Sequence, residues 1–232
     1  MANFKSLDDG LAPELLAMRD KKVAIFKKHV STLRSRFLGM AKENAEWYKA
    51  HLALEWCLEH HTGWRKDKVT PAAAHQIALA HHVMNLMSDL MFPIRTVIAA
   101  LLHDTPEDTA VSHSEIRDHF GSQTEEDVEI LTKEYRGDKK DLRTYHAAQA
   151  KNPVTSVVKP VDRTHNMETM QGVFDMPKQI IYCDEVDLDY FDMLHVSRRA
   201  FPQQEAIYEG LKRHLHIMVT LYRSAHAKGF AL

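Results

Sequence analysis

The residues best equipped for chemistry are a vicinal pair, His103-Asp104, followed by a second acidic pair, Glu107-Asp108. An apolar run, Ala99-Ala100-Leu101-Leu102, leads directly into them. Neighbouring residues on a helix point about 100° apart, so an imidazole and a carboxylate in sequence reach a single ion beside the helix. That donor set suits a borderline or hard divalent cation such as Mn, Fe, Zn or Mg. Glu107 and Asp108 follow within about one turn, where a carboxylate orients or deprotonates a water on that ion. A plainer reading competes. His103-Asp104 could end a buried helix while Thr105-Pro106-Glu107-Asp108 starts the next, with Thr105 as N-cap and Pro106 first in the helix. This accounts for the acids but not for two ionisable groups at the end of an apolar run.

Further ligands are available at His75 and Asp162, 28 residues before His103 and 58 after Asp104. Each interval leaves room for a helix to return, and helical bundles build metal sites from inward side chains on several helices. Singly, His75 reads as an ordinary first-turn histidine and Asp162 as a partner of Arg163 or a cap. Together, H…HD…D with an acidic pair behind the HD is a coherent ligand set.

The elements that must carry these residues are helical, and no convincing period-2 strand is found. Residues 1–10 form a polar lead-in. Helices are expected from Pro13 to about Phe37, Ala41 to His61, Ala72 to Leu90 and Ile94 to Asp104. A further helical region over 113–135 breaks at Phe120-Gly121, and residues 136–141 (RGDKKD) look like a loop. Tyr145 to Lys151 and Pro153 to Met170 follow, the latter carrying Asp162, and two helices close the chain over 178–199 and 202–228. The expected fold is all-α: one helical bundle over residues 46–232 with an added N-terminal helical arm over residues 1–45. That arm carries a basic face (Lys21, Lys22, Lys27, Lys28, Arg34, Arg36), read first as a solvated side and second as an anion or partner surface.

Composition narrows the classes. With 232 residues, 44% hydrophobic and 27% charged, the chain can bury a sizeable core. A net charge of -2 offers no general case for nucleic-acid binding, which ranks last. Charge is uneven, however: residues 19–49 hold nine Lys/Arg against three Asp/Glu, and 104–141 hold twelve acids against five bases. Cys57 and Cys183 form no CxxC pair and are expected to be buried thiols, which fits a cytoplasmic setting. No stretch approaches the roughly 18 apolar residues of a membrane span, and no secretory signal is expected. The sixteen histidines are scattered, so most are not ligands.

On these residues the chain resembles the HD-domain metal-dependent phosphohydrolases, and more narrowly the RelA/SpoT-type alarmone hydrolase domain and its stand-alone relatives. Four segments carry the resemblance. Arg65-Lys66-Asp67 is similar to the family's basic loop, and His75 to its first histidine. Ala99 to Asp104 with Glu107-Asp108-Thr109 is similar to its AALLHD and EDT segments, and Val158 to Met167 (VKPVDRTHNM) to its VKLADRxHNM helix. The likeness covers about residues 48–200.

The resemblance implies that His75, His103, Asp104 and Asp162 hold one ion, typically Mn. It implies that Glu107 and Asp108 activate the attacking water, that Arg65 and Lys66 meet the nucleotide, and that Asn166 lies near the ribose and the phosphate attacked. The implied reaction is removal of the 3′-diphosphate of (p)ppGpp to give GDP or GTP and pyrophosphate. The chain departs from the family at Pro160 and Val161, where Leu and Ala are usual, and in the segment 69–74 ahead of His75. A stacking tyrosine is implied, Tyr182 or Tyr190. No region resembles the synthetase, TGS or ACT domains, so hydrolysis alone is expected. Alternatives are another nucleotide substrate, a dNTP or NADPH, and a non-catalytic nucleotide-binding protein. Self-association through the arm is a further possibility.

Overall fold

The structure, a computed structural model, describes residues 10–232, so the expected polar lead-in lies outside the described residues except for Gly10. The helices are α1 (Pro13–Met40), α2 (Trp47–His60), α3 (Ala74–Asn85), α4 (Pro93–Leu102), α5 (Thr105–Asp108), α6 (His113–Phe120) and α7 (Ser122–Leu131). A two-residue antiparallel hairpin follows, β1 (Glu134–Tyr135) with β2 (Asp138–Lys139). Then come α8 (Leu142–Gln149), α9 (Thr155–Thr169), α10 (Met176–Glu185), α11 (Phe191–Ala200) and α12 (Glu205–His226), with a π turn at Val186–Tyr190. The expectation of an all-α chain holds; the small hairpin is the one strand pair among the described residues.

Local chemistry sets many of the boundaries. Pro13 and Pro93 occupy the first positions of α1 and α4, where the missing N–H is no loss. Ser112 and Glu115 form a reciprocal capping box on α6. Asp141 and Asp175 accept the Thr144 and Lys178 amides at 3.1 Å, closing the starts of α8 and α10. Gly121, at φ 90° and ψ 164°, separates α6 from α7 in a backbone region that essentially only glycine enters.

The centre of the bundle is α4. Seven consecutive residues, Thr96 to Leu102, are buried, as expected for a helix enclosed on every side. It packs against α2, α3, α7 and α9, and α9 in turn packs against α3 and α12. The arm is not detached: Phe26, Val30, Leu33 and Phe37 of α1 are buried in the same core, against α2 and α3. Its basic face is only partly solvated. Arg34 forms a two-pronged pair with Glu55 at 2.6 and 2.8 Å, and Lys22 reaches Asp67 at 2.8 Å.

Three local expectations are corrected. The helix ahead of His103-Asp104 ends at Leu102, with His103 in its C-cap position. Asp104, not Thr105, occupies the N-cap position of α5, so the HD pair spans a junction between two helices. A proline so close ahead of Asp162 is expected to bend its helix or mark its start; it does not mark the start, because α9 runs through Pro160 from Thr155 to Thr169, forgoing the bond a non-proline residue would donate to the Ser156 carbonyl. Cys57 and Cys183 are buried free thiols. No helix among the described residues is long and apolar enough to cross a membrane.

Candidate metal centre

Three mutually packed helices deliver the candidate ligands. His75 is the second residue of α3, His103 caps α4, and Asp162 lies in the middle of α9. One donor atom from each lies within 4.8 Å of the other two, and all three residues are buried. His75 Nε2 is 3.0 Å from Asp162 Oδ1, and His103 Nε2 is 3.9 Å from the same oxygen. Asp104 Oδ2 joins them at 2.9 Å from His103 Nε2 and 3.8 Å from His75 Nε2. The four residues singled out from the sequence therefore converge on one point, with Asp104 the most open to solvent.

The donor atoms have the character a divalent ion needs. His103 Nδ1 lies 3.0 Å from the Ala100 carbonyl, which accepts from the ring N–H and leaves Nε2 turned toward Asp104 and Asp162, to carry a proton or, on losing it, to bind a cation. That Nε2 is buried with no hydrogen-bond partner of acceptable geometry, which is costly unless something else occupies it. His75 is arranged alike: its Nδ1 is 2.8 Å from His165 Nδ1, leaving Nε2 facing Asp162. A second hydrogen bond on the ring's other nitrogen is the usual support of a metal-binding histidine. Burial opposes charge on His103, but Asp104 and Asp162 beside it outweigh that and raise the imidazole to about 9. Asp162 is buried too, yet Lys159 and His75 hold it well below the ordinary carboxylate range. Two carboxylates crowded against two imidazoles thus draw positive charge, and the residues fit one divalent cation.

At the rim stand the acids. Glu107 and Asp108 lie in α5, whose buried residues are Thr105 and Pro106, and both acids remain open to solvent. Burial raises both carboxyls above their ordinary values. The Lys133 amide donates to Glu107 Oε1, which fixes the direction of that carboxylate. Asp104 adds to the rise in both acids, while Arg65 and Lys66 work against it at Asp108. The basic loop therefore lies within electrostatic reach of Asp108. Asn166 stands against the centre in another way: its amide donates to Asp162 Oδ1 at 2.6 Å, one turn along α9. Tyr182 and Tyr190 both pack on the Arg163 guanidinium, with ring centroids at 4.2 and 4.8 Å. Tyr190 is fully buried, whereas Tyr182 is half-buried.

Sequence reasoning missed two residues. Lys159 Nζ donates to Asp162 Oδ2 at 2.8 Å, and His165 supports His75. Both had a readable signal, because positions 159, 162 and 165 repeat at i+3 and share one face of a helix.

With this geometry in hand, comparison with known proteins is decisive at the level of the family. The profile of one family, described as HD domain, matches residues 53–182, more than half of the chain. The chain belongs to the HD-domain family. Proteins to which it is similar include a probable GTP pyrophosphokinase of Mycobacterium leprae, 32% identical over 125 residues. A guanosine-3′,5′-bis(diphosphate) 3′-pyrophosphohydrolase of Aquifex aeolicus is 32% identical over 123 residues. A bifunctional (p)ppGpp synthase/hydrolase of Escherichia coli is 31% identical over 121 residues. The matches take in 51%, 51% and 47% of this chain but only 15%, 17% and 16% of those relatives. The HD domain thus takes in His75, His103, Asp104 and Asp162, whereas the whole of α1 precedes the matched residues.

Proposed function

We propose that this chain is a divalent-metal-dependent phosphohydrolase that removes the 3′-diphosphate of (p)ppGpp, giving GDP or GTP and pyrophosphate, with Mn as the ion. The observation that carries the reading is the convergence of His75, His103 and Asp162 within 4.8 Å beside an acidic pair, Glu107-Asp108. The printed names of the Aquifex and Escherichia relatives supply the substrate class. His75, His103, Asp104 and Asp162 would hold the ion, which when bound supplies positive charge against phosphate oxygens and makes a nearby water more acidic.

The remaining steps belong to the chain's own groups. Glu107 and Asp108, raised by burial, are stronger bases than free carboxylates and take the proton of the attacking water. The Lys133 amide keeps Glu107 aimed. Arg65 and Lys66 bind phosphate oxygens, where guanidinium and ammonium donors form charge-assisted bonds. Asn166 orients Asp162 and lies on the side facing the ribose.

A second substrate, a dNTP or NADPH, is favoured by one feature: residues 69–74 ahead of His75 depart from the alarmone-hydrolase pattern. Product analysis separates the readings. Purified protein with Mn is incubated separately with ppGpp, each dNTP and NADPH, with Asp104→Ala as the blank. Pyrophosphate and GDP from ppGpp alone support the alarmone reading; phosphate or triphosphate from another nucleotide overturns it and reassigns the pocket. Metal binding without turnover of any of them would make the chain a binding protein.

A further inference from the structure

The N-terminal half of α1 is not held by an apolar face. Ahead of Phe26, Leu15, Leu16, Met18 and Ile25 are exposed, and the buried residue is a charged one, Arg19, at 7% exposure. What that half of the helix grips is the loop between α2 and α3. Arg19 donates from Nε and Nη2 to the Lys68 carbonyl at 3.1 and 2.7 Å, and its guanidinium lies 4.0 Å from the centre of the Trp64 ring. One turn on, Lys22 Nζ donates to Asp67 Oδ2 and to Thr70 Oγ1, both at 2.8 Å.

The loop is built to be held at those points. Its stem is closed by the Ala72 amide on the Gly63 carbonyl at 3.0 Å and the Arg65 amide on the Thr70 carbonyl at 2.8 Å. Asp67 Oδ1 accepts the Val69 and Thr70 amides at 3.1 and 2.9 Å. Lys68 sits at φ 60°, a left-handed conformation that a lysine holds only under constraint, and its carbonyl is the one Arg19 takes. Asp67 is partly buried, yet its bonds to Lys22 and Thr70 bring it down to about 2. Arg65 and Lys66 lie between the two clamped residues, Trp64 and Asp67. Three cations on so short a loop, Arg65, Lys66 and Lys68, would otherwise repel one another and spread it.

We propose that Arg19 and Lys22 are positioning residues: α1, which precedes the residues matched by the HD-domain profile, holds the Arg65-Lys66 loop in the shape that meets a polyanionic nucleotide. This rests on the assignment of that loop to substrate binding made above. A preset loop loses less freedom on binding, so the effect belongs in KM and not in the chemical step.

The test pairs hydrogen–deuterium exchange of the peptide over residues 63–72, read without nucleotide, with steady-state kinetics on ppGpp and Mn. Arg19→Met and Lys22→Met should speed exchange at the Val69 and Thr70 amides and raise KM about ten-fold, with kcat and Mn affinity within about two-fold. Lys22→Arg should restore both. Unchanged exchange in both Met variants would overturn the anchor. Faster exchange with unchanged KM would overturn the positioning role, provided Arg65→Ala raises KM. If Arg65→Ala and Lys66→Ala also leave KM unchanged, the loop assignment itself fails and takes this inference with it. Should another nucleotide prove to be the substrate, KM is read on that one, while the exchange result stands unaltered.

Discussion

Asp162 serves both sides of its carboxylate: Oδ1 faces His75 at 3.0 Å, and Oδ2 accepts from Lys159 at 2.8 Å. Lys159 therefore competes with an incoming cation for the same anion. Lys159→Met should raise Mn affinity in a calorimetric titration, and weaker binding would contradict this competition. Removing one member of a buried pair costs about 3–5 kcal/mol, so the metal-free variant should melt well below wild type. Added Mn should recover more of that loss than it adds to wild type. Asp104→Ala should lose metal and turnover together, because a ligand is gone. Glu107→Ala should keep the metal and lose turnover by two orders of magnitude or more, on the order of the usual effect of a general base. A Glu107→Ala enzyme with nearly full activity would remove Glu107 from the chemistry. The four proposed ligands and the acid pair could be read from residue type and spacing. Lys159 and His165 could not be weighted in the same way, because an amphipathic helix carries many i+3 neighbours and only packing says which of them face inward.

Among the elements, α6 and α7 show how one residue sets a junction. Gly121 adopts φ 90° with no atom within 4 Å of where a Cβ would sit, so backbone conformation alone demands glycine there. Gly121→Ala should cost about 1–3 kcal/mol, seen as a lower thermal midpoint, while kcat and Mn affinity stay unchanged because the junction touches no ligand. A fall in Mn affinity would show that the junction and the centre are coupled. The break at Phe120-Gly121 was legible for this reason. Other boundaries were not: the second helix starts at Trp47 instead of Ala41, and the run from 178 to 199 contains a π turn at Val186–Tyr190. Propensity does not distinguish an α turn from a π turn. The wider turn brings Tyr190 against Arg163 and His146, a choice made by packing.

The molecule as a whole stores buried neutral histidines, and these set its response to acid. His146, stacked edge-on to Tyr190, is lowered by burial first and then by Lys159 and Arg163, to about 4; His61, under Thr105, is lowered by burial to about 4 as well. In the unfolded chain both titrate near the ordinary value of about 6.5. Between those limits the unfolded state binds more protons, so stability is full above about 6.5 and falls as the pH drops toward about 4. Each site contributes on the order of 3 kcal/mol over that window. Thermal midpoints measured from pH 7 to pH 4 should fall accordingly, and His146→Gln should flatten the decline; an equally steep curve would place the proton elsewhere.

Residue order by itself determined the helical class, the apolar run that becomes the fully enclosed α4, and the set of His75, His103, Asp104 and Asp162, since periodicity and ligand chemistry are local properties of a chain. Tertiary structure decided everything that depends on which distant groups meet. It placed the HD pair at a junction between two helices, left His103 Nε2 buried and open for a cation, and set Lys159 on Asp162. It also turned α1 from an appended arm into a clamp on the Arg65-Lys66 loop, because a contact between Lys22 and Asp67, 45 residues apart, leaves no trace in any sequence pattern.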